Sequence, residues 1–383
     1  MKALLTVLLA STMILNLNFV NANNIVDHND STMKFTLDHP EKRFIKVALL
    51  LDTSNSMDGL IDQAKAQLWE IVNELSYAKC RGERPNLKIA LYEYGNDNLH
   101  PDEGYIRQVI GFSEDLDEIS KELFSLTTNG GSEYCGHVIQ TSLDQLKWGS
   151  NPDDLKLVFI AGNEPFTQGR VNYKNAAVNA KEKDVTVNTI FCGDYNQGIS
   201  TYWRDGAAIT GGDYMAINHN QKTVHIASPF DETILQLNIK LNKTYVGYGS
   251  HGQKKYALQA EQDSKARGYS RENAVSRTVS KSSHLYKNSS WDLVDAVESE
   301  AVDIEDLDDD DLPSELKGKS EREIKKYIEQ KQQQRKAIQL EIQELNERRR
   351  AYIENNRSNK SNALESAMLN AIKAQAKEKQ YEW

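Results

Sequence analysis

From Phe44 to about Met215 the chain repeats one pattern: the apolar runs IKVALLL, LKIALYEY, LKLVFIA, VTVNTIF and GDYMAIN, each separated from the next by a polar stretch. Most of these runs are continuous rather than alternating, as expected for strands buried on both faces of a parallel sheet. Between them, DGLIDQAKAQLWEIVNEL places Leu60, Ala64, Leu68, Ile71 and Leu75 on one stripe at spacings of three and four. CGHVIQTSLDQL and YKNAAVNAKEK repeat the pattern on a smaller scale. Strand alternating with helix predicts a doubly wound α/β domain around a mostly parallel six-stranded sheet. YIRQVIGF follows LKIALYEYGN with too little chain for a crossover helix, so it is predicted to pair antiparallel as an edge strand.

The remainder of the 383 residues sets bounds on function. A formal net charge of −10 argues against a nucleic-acid binder, and a mean hydropathy of −0.64 excludes a polytopic membrane protein. Lys2, the apolar ALLTVLLASTMIL and the small residues of Val20-Asn21-Ala22 predict a signal peptide over residues 1–22. Asn16, Asn18 and Asn21 interrupt the run, which disfavours a retained anchor, and no cysteine near the cut suggests a lipoprotein. The expected location is therefore periplasmic or secreted, with no transmembrane helix after cleavage. Residues 23–42 read as a polar lead-in. Cys80, Cys135 and Cys192 allow one disulfide or, equally, two or three small buried thiols.

SPFDETILQLNIKLNKTYVGYG reads as a helix on the flank of the sheet, completing a domain over residues 43–248. Residues 249–312 read as a polar and acidic linker ending in DIEDLDDDDLP. Beyond Pro313, Ser320 and Glu323 form a capping box for a long charged helix over residues 313–357. Ile324, Ile328, Lys331, Arg335, Ile338, Ile342, Leu345, Arg349 and Tyr352 form its heptad seam, which predicts a coiled coil and a homo-oligomer. Residues 358–383 form a weaker helix former, expected to fray.

The first strand ends unusually. LLLDTSNSM passes from three leucines to Asp52, Ser54 and Ser56 at alternate positions. Ligands of open α/β sheets sit beyond the carboxyl ends of the strands. One carboxylate and two hydroxyls are hard oxygen donors of the kind a Mg²⁺ ion prefers, and three such ligands need one or two more from elsewhere.

This stretch resembles the first strand and metal-ion-dependent adhesion site of von Willebrand factor type A domains, whose Asp-x-Ser-x-Ser motif is matched by Asp52, Ser54 and Ser56. The resemblance covers about residues 44–220 and includes the strand order, the antiparallel third strand and a GGS loop before a helix. It implies bound Mg²⁺ (or Mn²⁺ or Ca²⁺) and a fourth ligand from a second loop. In TTNGGSEYCG that ligand is Ser132, with Thr127, Thr128 and Glu133 as neighbouring alternatives. The family's fourth strand usually ends in Thr-Asp-Gly. Here FIAGNEPF puts Gly162 in the place of the Asp, so Asn163, nearer in register, is expected in that role, ahead of the anionic Glu164.

The resemblance further implies a non-enzymatic adhesion or assembly module whose protein partner offers an Asp or Glu to the metal. Tyr134, Phe166 and Trp203 are candidates for the surrounding contact surface or, equally, for half-buried core. Two other classes compete: a metal-dependent hydrolase, for which no positioned base is evident, and a structural or assembly factor with a vestigial metal site. Cys135 and His137, two residues apart, diverge on a helix and make a poor nucleophile and base. Cys135 and Cys192 both fall near the carboxyl edge of the sheet and are the expected pair if a disulfide forms.

Overall fold

The computed structural model describes residues 42–223, 225–356 and 363–383. The expected signal peptide, and the lead-in as far as Glu41, lie outside the described residues, as does the 357–362 segment of the expected coiled coil and tail.

The elements run β1 (Phe44–Asp52), α1 (Asp58–Leu75), β2 (Lys79–Cys80), β3 (Asn86–Tyr94), β4 (Ile106–Ser113), α2 (Leu116–Ser125), α3 (Cys135–Gln145), β5 (Leu155–Gly162), α4 (Tyr173–Glu182) and β6 (Thr186–Phe191). They continue α5 (Tyr195–Ser200), α6 (Trp203–Ala208), β7 (Tyr214–Ala216), α7 (Asp231–Asn242), α8 (Gly252–Tyr269), α9 (Arg271–Lys281), α10 (Leu293–Glu298), α11 (Glu321–Asn356), α12 (Ala363–Glu378) and β8 (Tyr381–Glu382).

The central sheet has the order β4-β3-β1-β5-β6-β7, and only β4 runs antiparallel, on the edge. This is the doubly wound, mostly parallel architecture that the strand pattern predicts. Successive residues of β1 serve opposite faces. Val47 and Leu51 join one core layer with Leu60, Leu68 and Val72 of α1. Ala48 and Leu50 join the other, with Val138 and Ile139 of α3, Ala176 of α4 and Trp203 of α6.

The stretch expected as a linker is helical and packed. α8 and α9 lie against α2, α1 and α7, and α9 is buried along most of its length although most of its residues are polar. Arg277 donates to Asp117 at 2.7 Å and to Asp263 at 2.7 Å, while Lys281 reaches Asp263 at 3.0 Å. Asn73 of α1 donates to the Ser276 carbonyl at 2.9 Å and accepts from the Ser280 hydroxyl at 2.6 Å. The acidic run forms two short 3-10 turns, Ile304–Asp306 and Asp309–Asp311, and inserts Ile304 and Leu312 into a small apolar cluster with Val246, Leu293 and Leu316.

α11 begins at the expected capping box, where the Ser320 amide and hydroxyl donate to the Glu323 carboxylate at 2.9 and 2.6 Å. Its heptad seam is real but meets its own chain rather than a second helix of the same kind. Ile324 and Ile328 complete the small cluster, and Ile342 enters the main core. Arg335 pairs with Asp292 at 2.5 Å and Arg349 with Asp231 at 3.2 Å. Lys331 donates to the Lys243 carbonyl at 2.7 Å. The seam is covered from Ile324 to Arg349 by this chain's own elements, among them α7, α9 and α10, while Tyr352 at its end is exposed.

Instead of fraying, α12 packs on α1 with Met368, Leu369 and Ile372 in the main core, and β8 pairs antiparallel with β2. Among the described residues, no helix is long and apolar enough to cross a membrane.

Candidate metal centre at the carboxyl edge of the sheet

β1 delivers Asp52 to the carboxyl edge because its nine residues pair in register with β3 on one side, up to Asp52 opposite Tyr94, and with β5 on the other. The following loop is pinned to the second loop by two backbone bonds: Asn55 N to the Gly130 carbonyl at 3.0 Å, and Asn129 N to the Thr53 carbonyl at 2.9 Å. The Ser54 amide donates to Asp52 Oδ1 at 2.7 Å, an Asx-type turn that fixes the carboxylate in one orientation. Ser54 Oγ and Ser56 Oγ stand 3.2 Å apart, and Asn163 Nδ2 donates to Ser56 Oγ at 3.2 Å. Four of the five residues singled out from the sequence, Asp52, Ser54, Ser56 and Asn163, therefore form one connected group.

Two oxygens of this group lack partners. Asp52 is 0 % exposed, yet its Oδ2 accepts no hydrogen bond, and the buried Asn163 Oδ1 accepts none either. A buried carboxylate oxygen without a donor loses its hydration with nothing in return. Burial, and next the neighbouring Glu133 carboxyl, push the Asp52 carboxyl well above the ordinary carboxylate range, against the opposing Ser54 amide. A divalent cation would satisfy both oxygens and offset the crowding of the two acids. Among the described residues no three His, Cys, Asp or Glu side chains gather in a ligating arrangement, so any metal here would rest on hydroxyl and amide oxygens as well as carboxylates.

The four candidates of the second loop sit in different surroundings. Ser132 is half-buried in a single antiparallel bridge with Gly95, and its hydroxyl makes no hydrogen bond to Asp52, Ser54 or Ser56. Thr128 gives its hydroxyl to Asp58, and the exposed Thr127 offers its carbonyl to Asn96 at 2.9 Å. The buried side chain of this loop that reaches Asp52 is Glu133. At the end of β5, the Glu164 amide donates to Glu133 Oε2 at 3.3 Å. His219 was not expected at the site, but its ring lies against the backbone of Ser56 and Cys192, and burial lowers its pKa. Its position after β7, at the same sheet edge, was the available signal.

Three further expectations are corrected. Phe166 and Trp203 are fully buried and stacked edge-to-face at 4.9 Å, so they belong to the core and not to a contact surface. Tyr134 is half-buried against Tyr105, and among the described residues up to Ala216 the exposed aromatics are Tyr195 and Tyr202. Cys135 and Cys192 are free because they serve opposite faces of the sheet, one in each core layer. Burial pushes both thiols up, which leaves them unreactive.

Residues 46–201 match the von Willebrand factor type A domain family. No curated protein matches the chain. Similar solved structures include the conserved hypothetical protein BatB from Bacteroides thetaiotaomicron, at 15% identity over 45% of this chain and 90% of that one, with a TM-score of 0.35. The SpRpn10 VWA domain is similar at 14% identity over 45% of this chain and 87% of its own, TM-score 0.34. Proximal thread matrix protein 1 from the mussel byssus, solved with a zinc occupied MIDAS motif, gives 10% identity over 47% of this chain and only 43% of its own, TM-score 0.34. By the family match and the order of its sheet, the part of the chain that carries the centre has the fold of a von Willebrand factor type A domain.

Proposed function

We propose that this chain is a metal-dependent protein-binding module, not an enzyme, acting in adhesion or assembly outside the cytoplasm. Asp52, Ser54, Ser56, Ser132 and Asn163 hold a Mg²⁺, Mn²⁺ or Ca²⁺ ion at the carboxyl edge of the sheet. The ion supplies an electrophilic coordination place that an Asp or Glu of a protein partner completes. Asp52 contributes charge and is held in place by the Ser54 amide. Ser54 and Ser56 contribute neutral oxygens on one side, and Asn163, in the loop after β5, orients Ser56 by donating to its hydroxyl. The observation that carries this reading is the fully buried Asp52 with Oδ2 unpartnered, beside an unpartnered Asn163 Oδ1. The apolar leader after Lys2 supports export.

Calorimetry with Mg²⁺ and with Mn²⁺ tests the reading. The wild-type chain is expected to bind one ion, and Asp52→Asn to lose affinity by about tenfold or more while keeping its melting curve in EDTA. Equal affinity in the two proteins would refute the assignment.

A further inference from the structure

We propose that Glu133 is the second anionic ligand of the centre, supplying from the loop before α3 the negative charge that Gly162 removes from the end of β5. The proposal rests on the metal reading above and deepens it.

The argument starts at Gly162. A Cβ at this position would lie 2.5 Å from Tyr94 Oη and 3.2 Å from Asp52 Oδ2. Tyr94 is fully buried and anchored by donating to the Ala161 carbonyl at 3.0 Å, so it cannot give way cheaply. The end of β5 therefore has no room for a carboxylate at the place where the family pattern has one. The missing charge has to come from another element or be absent.

Glu133 meets that need geometrically. It is 2 % exposed, and its carboxyl faces that of Asp52. It is not capping α3, whose first turn receives no side-chain cap. Neither Glu133 nor Asp52 has a Lys or Arg partner within ion-pair distance among the described residues. The Glu164 amide holds Glu133 Oε2 at 3.3 Å, which orients the carboxylate from the β5 side. On the β3 side, Gly95 adopts φ +81°, and a Cβ there would lie 2.8 Å from Glu133 Cγ and 2.9 Å from Asp52 Oδ1. Gly95 thus keeps clear the space in which the two acids face each other, and Gly162 keeps clear the β5 side of Asp52.

Two buried carboxylates side by side repel strongly unless a cation or a shared proton lies between them. Structural ion pairs elsewhere in this chain bring their own Arg or Lys, as Asp117 does with Arg277. This pair does not, and the unpartnered Asp52 Oδ2 points to an external cation. A divalent ion held between the Asp52 and Glu133 carboxylates is neutralised by the chain alone. The resting centre then retains its metal before a partner arrives.

Metal titration of the full chain decides the matter, using Mg²⁺ and Mn²⁺ alone as probes. Glu133→Gln keeps the volume of the side chain and can still accept from the Glu164 amide. It is expected to lower affinity about tenfold or more, on the scale of Asp52→Asn, whereas Glu164→Gln changes it less than about twofold. Wild-type binding that survives Glu133→Gln unchanged would overturn this inference and leave the metal centre standing. Absence of binding to the wild type would overturn both. If Glu133→Gln does not fold, the side-chain carboxyl ¹³C resonance of Glu133 in the wild type gives the answer. It is expected to shift on Mg²⁺ addition, and a resonance that does not move while the chain binds metal overturns the assignment.

Discussion

The two flanks of the central sheet are covered by different chemistry. On one, α3, α4 and α6 present Val138, Ile139, Leu143, Ala176, Ala180 and Trp203, an apolar layer. On the other, α1 and α12 are apolar where they meet the sheet, but the layer outside them is not. There α9 buries Ser276, Arg277, Thr278, Ser280 and Lys281, and α11 buries Arg335 and Arg349. The first flank is stabilised by area removed from water, at about 25 cal/mol per Å². The second is specified by partners: each buried charge has a matching acid, and Arg277 also lies 4.9 Å above the Trp69 ring. An apolar flank tolerates exchange of one aliphatic residue for another, whereas a flank of ion pairs fails when any one member is removed.

The largest effect should come from breaking that second flank at its centre. Arg277→Ala leaves Asp117 and Asp263 buried without their guanidinium, and is expected to cost about 3–5 kcal/mol in urea unfolding. A loss below about 1 kcal/mol would mean that the outer layer contributes little to the stability of the sheet.

A smaller effect should appear with acid. His284 sits between the segment after α9 and the loop before β3, its Nε2 3.1 Å from the Pro85 carbonyl. Burial, with Arg84 and Lys287 nearby, holds its pKa below the ordinary 6.5. A depressed base contributes stability that is fully present above its unfolded pKa, near 6.5, and lost as pH falls through the lower folded value. Melting temperatures of the wild type should therefore drop below pH about 6.5 more steeply than those of His284→Gln. Parallel curves would remove His284 from the account.

The smallest effect is expected on the outer face of α11. Leu340 is 63 % exposed, on the opposite side from the seam that its own chain covers. Leu340→Lys should change stability by less than about 0.5 kcal/mol and leave the sedimentation coefficient unchanged. A shift in assembly state would show that this outer face, and not the seam, is what joins copies of the chain.

The sheet was legible because buried parallel strands announce themselves: IKVALLL and LKLVFIA admit few other readings. The end of β1 was legible for the same reason, since Asp52 interrupts such a run. The stretch from residue 249 to 312 was not. A helix such as α9 has only Ala274, Val275 and Val279 as an apolar signal and turns Arg277, Thr278, Ser280 and Lys281 inward beside them. Its burial depends on Asp117, more than 150 residues earlier, and no local pattern contains that information. Glu133 was legible only as one of several alternatives to Ser132. It stands beside Ser132 in the sequence, and its approach to Asp52 runs past Gly95, where a Cβ would lie 2.8 Å from Glu133 Cγ and 2.9 Å from Asp52 Oδ1.

The place of α12 bears on how the chain is made. Its Met368 and Ile372 cover the same face of the sheet as Val47, Phe159 and Ile190, whose strands emerge from the ribosome far earlier. At about 5–20 residues per second, that face waits on the order of ten seconds or more for its cover. β2 waits longer still for β8. During this interval the nascent chain displays apolar strands without their last helix, which is when chaperones engage and self-association begins. Synthesis slowed between β6 and α12 should therefore lower the yield of folded protein more than the same delay placed after α12.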